Sequence, residues 1–330
     1  MGNTMSRRTA FATLAVLAVA PPFFAAAQSK VFRVGHLSGA GRTPDGLPPA
    51  ALRQALRDLG YVEGQNITYE ARFAEAKADR LPGFVAELLA LKVDAIVAQG
   101  GPAGAAAKAA TSTTPIVVAP ASGDTVATGL IASLARPGGN ITGLSDEAVQ
   151  LSAKRMEILK ETVPKAAAIA VLWNATDQGM TLRYREIEKA ARVLKVDVQP
   201  YALNGPADLV TALGAMTRRR PDALFLVADA LTNINRRQII EFAAAHRVPA
   251  MYEVSFYVRD GGLMSYGPSA DDAFRRAAGY LDRIFKGAKP GDLPAEQPTR
   301  YYLAVNLRTA GALGLTIPPS VLLRADDVVQ

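Results

Sequence analysis

Val93-Asp94-Ala95-Ile96-Val97 and Pro221-Asp222-Ala223-Leu224-Phe225 are two versions of one phrase. Each is an apolar run too short for a helix. Each is followed by a polar or glycine-containing loop, a helical stretch and a strand led by proline, at Pro115 or Pro249. Strand, loop, helix and strand in that order predict parallel strands joined by helical crossovers. Recurrence of the phrase in both halves predicts two copies of one doubly wound α/β unit, a weak internal repeat and not a solenoid.

The rest of the chain fits that rhythm. In the first half, strands are expected over 31–37, 67–72, 94–98 and 115–119, with helices over 50–59, 103–110 and 126–134. Leu81, Phe84, Val85 and Leu88 fall at i, i+3, i+4 and i+7, which gives a further helix one apolar face. In the second half, helices are expected over 151–163, 182–194, 209–217 and 234–246, and strands over 168–173, 196–202, 223–227 and 250–253. Beyond Gly261 come a short strand, a helix to about Phe285, a strand over 301–306, a short helix over 307–313, and a stiff tail at Ile317-Pro318-Pro319.

Between the halves, Arg136-Pro-Gly-Gly-Asn-Ile-Thr-Gly-Leu-Ser145 stops one helical pattern and supplies a short β-prone run before the next helix. It reads as a hinge, with Leu263–Gly267 and the strand near Tyr301 as second and third crossings. Gly143, Leu144, Met264, Ser265 and Tyr301 are the candidate hinge residues. The expected division is a leader over 1–27, one lobe over 31–145 plus 264–300, and another over 146–263 plus 301–330. Three crossings suit opening and closing with little twist.

A chain of 330 residues, 49% hydrophobic and 20% charged, is long enough for two such cores. Residues 1–27 differ from the rest: Arg7 and Arg8 precede an apolar run over 10–20, Pro21-Pro22 break it, and Ala25-Ala26-Ala27 offer small cleavage-site residues. That is the pattern of a secretory signal peptide, because the run is about half of what a span needs. Ser6-Arg7-Arg8 with Phe11 leaves the twin-arginine route open beside the general one. The expected location is the periplasm. The absence of cysteine excludes disulfides, thiol catalysis and an anchor on an N-terminal cysteine. A net charge of +7 is thinly spread, and Arg218-Arg219-Arg220 has no interleaved aromatics, so nucleic acid is not the expected partner.

Signals for chemistry are sparse. No Gly-x-Ser-x-Gly elbow and no His-x-x-x-His spacing occurs. His246 reads as a helix-end residue and His36 as a packed strand end. Gly100-Gly101-x-x-Gly104 is an incomplete dinucleotide turn, and no cofactor, metal or catalytic residue is expected. Ligands of open α/β sheets sit beyond the carboxyl ends of the strands, so two facing units should hold one between their loops. The loops carry Ser38, Gly100, Gly101, Ser122, Asp124, Asn174, Asp229 and Glu253 as candidate ligand contacts. Helix N-termini there suit a carboxylate, and Asp124, Asp229 or Glu253 an ammonium group. Asp124 reads equally well as a helix cap.

Several stretches carry a resemblance to a family: Leu59-Gly-Tyr-Val-Glu-Gly-Gln-Asn66, Ser133–Ser145, Lys154-Arg-Met-Glu-Ile-Leu-Lys160, Gly261-Gly-Leu-Met-Ser-Tyr-Gly-Pro268, and Leu313-Gly-Leu-Thr-Ile-Pro-Pro319 leading to Arg324-Ala-Asp326. From about Val34 to Asp327 the chain resembles the exported substrate-binding proteins of ABC transporters, in the family that includes a tryptophan/tyrosine-binding component. The resemblance implies a periplasmic-binding-protein type I-like fold, shared with leucine- and ribose-binding proteins. It also implies capture of a small molecule without chemical change; a membrane permease is the expected partner, and the binding protein itself is expected to be a monomer. Two departures fall at the expected cleft. Gly123-Asp124-Thr125-Val126 stands where the family usually has Gly-Asp-Pro-Val, and Ser38 precedes Gly39 where Ser-Pro is frequent. The expectation is a periplasmic component capturing an amino acid or related carboxylate-bearing solute. The alternatives are an exported sensor of the same fold and a two-lobed α/β enzyme.

Overall fold

The computed structural model describes Met1 and residues 30–120, 123–145 and 148–330. The leader reading of residues 1–27 and the first helical turn expected at Asp146 and Glu147 lie outside the described residues. The first half runs β1 (Phe32–Ser38), α1 (Ala50–Asp58), β2 (Ile67–Phe73), α2 (Leu81–Ala90), β3 (Ala95–Gln99), α3 (Gly101–Ala110), β4 (Ile116–Val118) and β5 (Ile141–Gly143). The second runs α4 (Ala148–Thr162), β6 (Ala168–Asn174), α5 (Gln178–Val193), β7 (Asp197–Leu203), α6 (Pro206–Arg219), β8 (Ala223–Leu226), α7 (Ala230–Ile234), α8 (Arg236–Ala245), β9 (Ala250–Tyr252), α9 (Phe256–Arg259) and β10 (Met264–Gly267). The chain ends with α10 (Ala270–Phe285), β11 (Tyr302–Asn306), α11 (Leu307–Ala312), α12 (Pro319–Leu322) and β12 (Asp327–Val329).

One sheet has the order β2-β1-β3-β4-β5, and all its neighbours are parallel. The other has the order β12-β11-β10-β9-β8-β6-β7, parallel except where β10 meets β11. Numbered from its own start, the run β7-β6-β8-β9-β10 repeats the strand order of the first sheet. The repeat read from two pentapeptides is thus a repeat of topology. Both sheets belong to one unit, Val31–Gln330.

Strands buried on both faces read as continuous apolar runs, and these do. Val34, Ala95, Val97 and Val117 pack on the α1 and α10 side, while Leu37, Ile96, Ala98 and Val118 pack on the α2 and α3 side. The second sheet divides in the same way. After leaving the second sheet, α10 presents Phe274, Ala277, Ala278, Leu281 and Ile284 at helical spacing to the core of the first. Ser269 caps this helix through the amide of Asp272, with Asp271 and Asp272 in its first turn.

Four expectations need correction. Residues 126–134 form turns and not a helix: Gly129 sits at φ 70°, and the amides of Leu130 and Ile131 return to the carbonyl of Thr125. The helix expected over 234–246 is α8, beginning at Arg236, but a short helix not foreseen, α7, comes before it and the two meet at Asn235. The tail after Ile317 adds α12 and then β12, a parallel partner for β11. The lobe boundary expected at Met264 moves past Gly267, because β10 pairs with β9 and β11 inside the second sheet.

The passages between the sheets are tied together. Leu144 bridges to Glu296, the amide of Glu296 donates to the carbonyl of Gly143, and the amide of Ser145 to the carbonyl of Glu296. Backbones approach closely there. A Cβ on Gly143 would stand 2.3 Å from the oxygen of Val118, and one on Gly267 would stand 2.0 Å from the oxygen of Glu253. Gly267→Ala is therefore expected to cost about 1–3 kcal/mol in urea unfolding, since a backbone and not a flexible side chain must move. An unchanged unfolding midpoint would show that the crossing yields freely.

Candidate functional site

A cavity of about 500 Å³ lies where the carboxyl ends of the two sheets face each other, within the range of small-molecule sites. Its first wall comes from the loops after β1, β2 and β3: Gly39, Ala40, Ala76, Gln99, Gly100 and Ala103. Its second wall comes from the ends of β6, β8 and β9 and from α4 and α5. The topology explains the placement. In a 2-1-3-4-5 order the chain crosses away on opposite faces at β1 and β3, leaving a crevice at their ends, and β6 and β8 repeat that geometry.

Where the loops after β1, β2 and β3 line the cavity the first wall is uncharged, and α10 adds Asp272, Arg275 and Arg276, paired with one another or with Glu296. Gly100, at φ 91°, turns the chain from β3 into α3, whose first turn, with Pro102 and Ala103, lies on the cavity. Ser38 is buried behind it. Its hydroxyl donates to Gln99 Oε1 at 3.0 Å and accepts the amide of Ala40 at 3.0 Å, so Ser38 orients a lining residue and does not itself line the cavity.

The second wall carries the buried charges. At the end of β6, Asn174 Nδ2 donates to Asp229 Oδ2 at 2.6 Å, and Asn174 Oδ1 accepts from the amide and hydroxyl of Thr176. Asp229 caps α7 in a capping box with Thr232, whose amide reaches Asp229 Oδ1 at 2.9 Å. Asp177 caps α5 through the amide of Gly179 at 2.8 Å. Burial, reinforced by the neighbouring charge of Asp229, pushes the Asp177 carboxyl up to about 6, and burial likewise raises that of Asp229.

Behind them lies a buried ion cluster. Glu253 Oε1 accepts from Arg155 Nη1 at 2.7 Å, and Oε2 from Arg183 Nη1 at 2.5 Å and from the amide of Ala228 at 3.0 Å. The side chains are only 1%, 5% and 2% exposed for Arg155, Arg183 and Glu253. Arg155 Nε also donates to the carbonyl of Tyr266 in β10 at 2.5 Å, linking the cleft wall to the second crossing.

The structure brings together Gly100, Asn174, Asp229 and Glu253 on the cavity, with Leu144 of the hinge candidates beside them. Gly101 opens α3 next to Gly100. Glu253 is committed to two guanidinium groups and an amide, so it is a support for the wall and not an open partner for an ammonium group. Asp124 stands off the cavity, its Oδ1 accepting the amides of Val126 and Ala127. Ser122 lies outside the described residues. Met264 and Ser265 are buried in β10, Gly143 packs on Val118, and Tyr301 sits just before β11 with its ring 6.1 Å from that of Tyr266. His36 is buried, and His246 ends α8.

Sequence reasoning missed Asp177, Arg155 and Arg183. Met180, Arg183, Ile187 and Ala191 form one buried stripe on α5, so a cation on an apolar stripe was the available signal for Arg183. Among the described residues no group of three or more His, Asp or Glu side chains could hold a metal ion, and no helix is long and apolar enough to cross a membrane.

Residues 49–329 match the model of a family described as ABC transporter substrate binding protein. A tyrosine-binding protein from Clostridioides difficile (strain R20291) is 25% identical over 263 residues, 79% of this chain and 75% of that one. An ABC domain from Streptococcus pneumonia, solved in complex with L-Trp, superposes with a TM-score of 0.84 at 23% identity, covering 91% of this chain and all (100%) of the other. A conserved domain protein from Vibrio cholerae O1 biovar El Tor gives 0.82 at 24% identity over the same shares, 91% and 100%.

Proposed function

The chain belongs to the ABC transporter substrate-binding proteins, a family of solute binders and not of enzymes, and from that premise we propose that it captures an amino acid with a large apolar side chain for a membrane permease. The observation that carries this is the division of labour between the walls. One wall offers the first turn of α3 and apolar surface from Leu81, Pro102 and Ala103, with the charges of α10 there paired as Arg275 with Asp272 and Arg276 with Glu296; the other offers the buried polar groups of Asn174, Asp177 and Asp229. A zwitterion spans such a gap, its carboxylate at the helix N-terminus and its ammonium group at the two carboxylates. Its apolar body lies along Leu81 and Ala103, with Leu231 and Phe256 opposite. The tyrosine-binding relative and the L-Trp complex support an aromatic side chain.

Contacts from both walls exist together only when the cleft is shut, so the ligand favours closure by differential affinity. Gly143 and Leu144, the passage after Gly267 and the passage that ends at Tyr301 are then the pivots, while Met264 and Ser265 sit inside the second sheet and move with it. The lobes are residues 31–145 with the segment after β10, and the remainder. An extracytoplasmic monomer delivered by residues 1–27 completes the reading.

Calorimetry with L-tryptophan, L-tyrosine, L-leucine, N-acetyl-L-tryptophan and ribose tests it. Expected are binding of the aromatic amino acids and loss of it on N-acetylation. Asp177→Asn and Asp229→Asn keep the helix caps but remove charge, and each should weaken binding by about 10- to 100-fold. Binding of ribose with no response to any amino acid overturns the reading.

A further inference from the structure

The two walls touch in front of the cavity, and they touch through very small residues. A Cβ on Gly39, after β1, would stand 3.4 Å from the Cβ of Ala230, the first residue of α7. One on Gly41 would be 3.7 Å from Cγ1 of Ile234 at the other end of that helix. One on Gly123, between β4 and β5, would be 3.2 Å from the Cα of Gly179 in the first turn of α5. Ala76, in the loop after β2, packs against the cluster of the second sheet that contains Leu231, Tyr252 and Tyr257. In every pair one member belongs to the half built on the first sheet and the other to the half built on the second. In the described form the two walls are therefore in contact.

We propose that this seam is the closing contact of the protein, and that side-chain volume along it sets the open–shut balance separately from contacts to the guest. Glycine and alanine make few dispersion contacts, so the seam adds little that would hold an empty cleft shut. Steric bulk would act only on the shut form, because the pairs part on opening. A protein whose competent form is less populated binds in proportion more weakly, although every ligand contact is intact. The inference rests on the two-wall reading above, but its first test needs no ligand.

The chain has no cysteine, so Gly39→Cys with Ala230→Cys gives the full-length protein a single possible disulfide. The separation of 3.4 Å between the two Cβ positions is close to the ~3.8 Å of ordinary disulfides. With oxidised glutathione the double variant is expected to lose both free thiols without gaining the mass of glutathione, the second cysteine displacing the glutathione first bound and two glutathione thiols being released. Its X-ray scattering should then report the compact form without added solute. Exchange of L-tryptophan should stop, and dithiothreitol should restore it. Thiols that stay free with and without L-tryptophan, or a disulfide that leaves exchange unaltered, overturn the proposal. If the wild type binds no amino acid at all, the proposed function fails while thiol loss and compaction still report on the seam.

Gly123→Ala separates seam from strain. Gly123 lies at φ 98°, a left-handed conformation that penalises alanine in open and shut forms alike, and so lowers the melting temperature. The approach to Gly179 exists only in the shut form, so the expected additional effect is a rise in Kd for L-tryptophan of about tenfold. A lowered melting temperature with Kd within twofold of wild type overturns the seam.

Discussion

Glu253→Ala is expected to remove about 3–5 kcal/mol of stability, a fall in melting temperature on the order of 10 °C, while leaving the fold recognisable by circular dichroism. Taking away one carboxylate leaves Arg155 and Arg183 buried without the group they share, and strips the amide of Ala228 of its acceptor. A charge desolvated without its partner costs far more than the pair contributes when intact. Four elements meet at this point: Arg155 comes from α4, Arg183 from α5, Glu253 follows β9, and the carbonyl that holds Arg155 Nε belongs to β10. Glu253→Gln keeps shape and removes charge, and should recover only the part of the loss that comes from the cavity. The same change should loosen the end of β8, where Ala228 precedes Asp229, so affinity for L-tryptophan should fall together with stability. A melting temperature within 2 °C of wild type would show that the arginines do not depend on Glu253.

The sequence held the topology more openly than the site. Short apolar runs alternating with amphipathic stretches are local signals, and helix α10 ends at Phe285, where it was expected to. Residues 126–134 could not be read so, because a run containing Val, Ala, Leu and Ile scores as helical until Gly129 and Thr125 close it into turns. Strand β12 was illegible for a different reason: Asp327–Val329 is a strand only because β11 is beside it. Cavity-lining residues at strand ends, such as Asn174 and Asp229, followed from the rule that ligands gather there. Glu253 followed from the same rule, but its role did not, since both arginines that engage it arrive from distant helices. Asp177 was missed because the helix it caps was expected to start later; what sets it apart is burial next to Asp229, which only the folded chain creates.

Acidification should act on two buried groups in opposite directions. His36 is fully buried between Phe73 and Phe274, and neither ring nitrogen meets a hydrogen-bond partner among the described residues. Burial pushes its pKa down to about 4, whereas the unfolded chain takes the proton near 6.5. The stability His36 contributes is thus complete above pH 6.5 and is lost as pH falls toward 4, by up to about 3 kcal/mol. Asp177 has the reverse sign. Its folded pKa of about 6 lies above the ordinary 3.8, so its ionised form is penalised, and acidification from 6 to 3.8 returns a similar amount. Asp229, also raised by burial, acts with Asp177. Around pH 5 the wild type should therefore respond weakly, and single variants should expose the opposing slopes. Urea midpoints measured at pH 7, 5.5 and 4.5 are expected to rise on acidification for His36→Leu and to fall more steeply than wild type for Asp177→Asn. Affinity for an ammonium-bearing ligand should decline below about pH 6 in the wild type, as Asp177 loses its charge. In Asp177→Asn it should be weak already at pH 7 and less dependent on pH. Parallel midpoint curves for all three proteins would mean that neither His36 nor Asp177 changes protonation with folding.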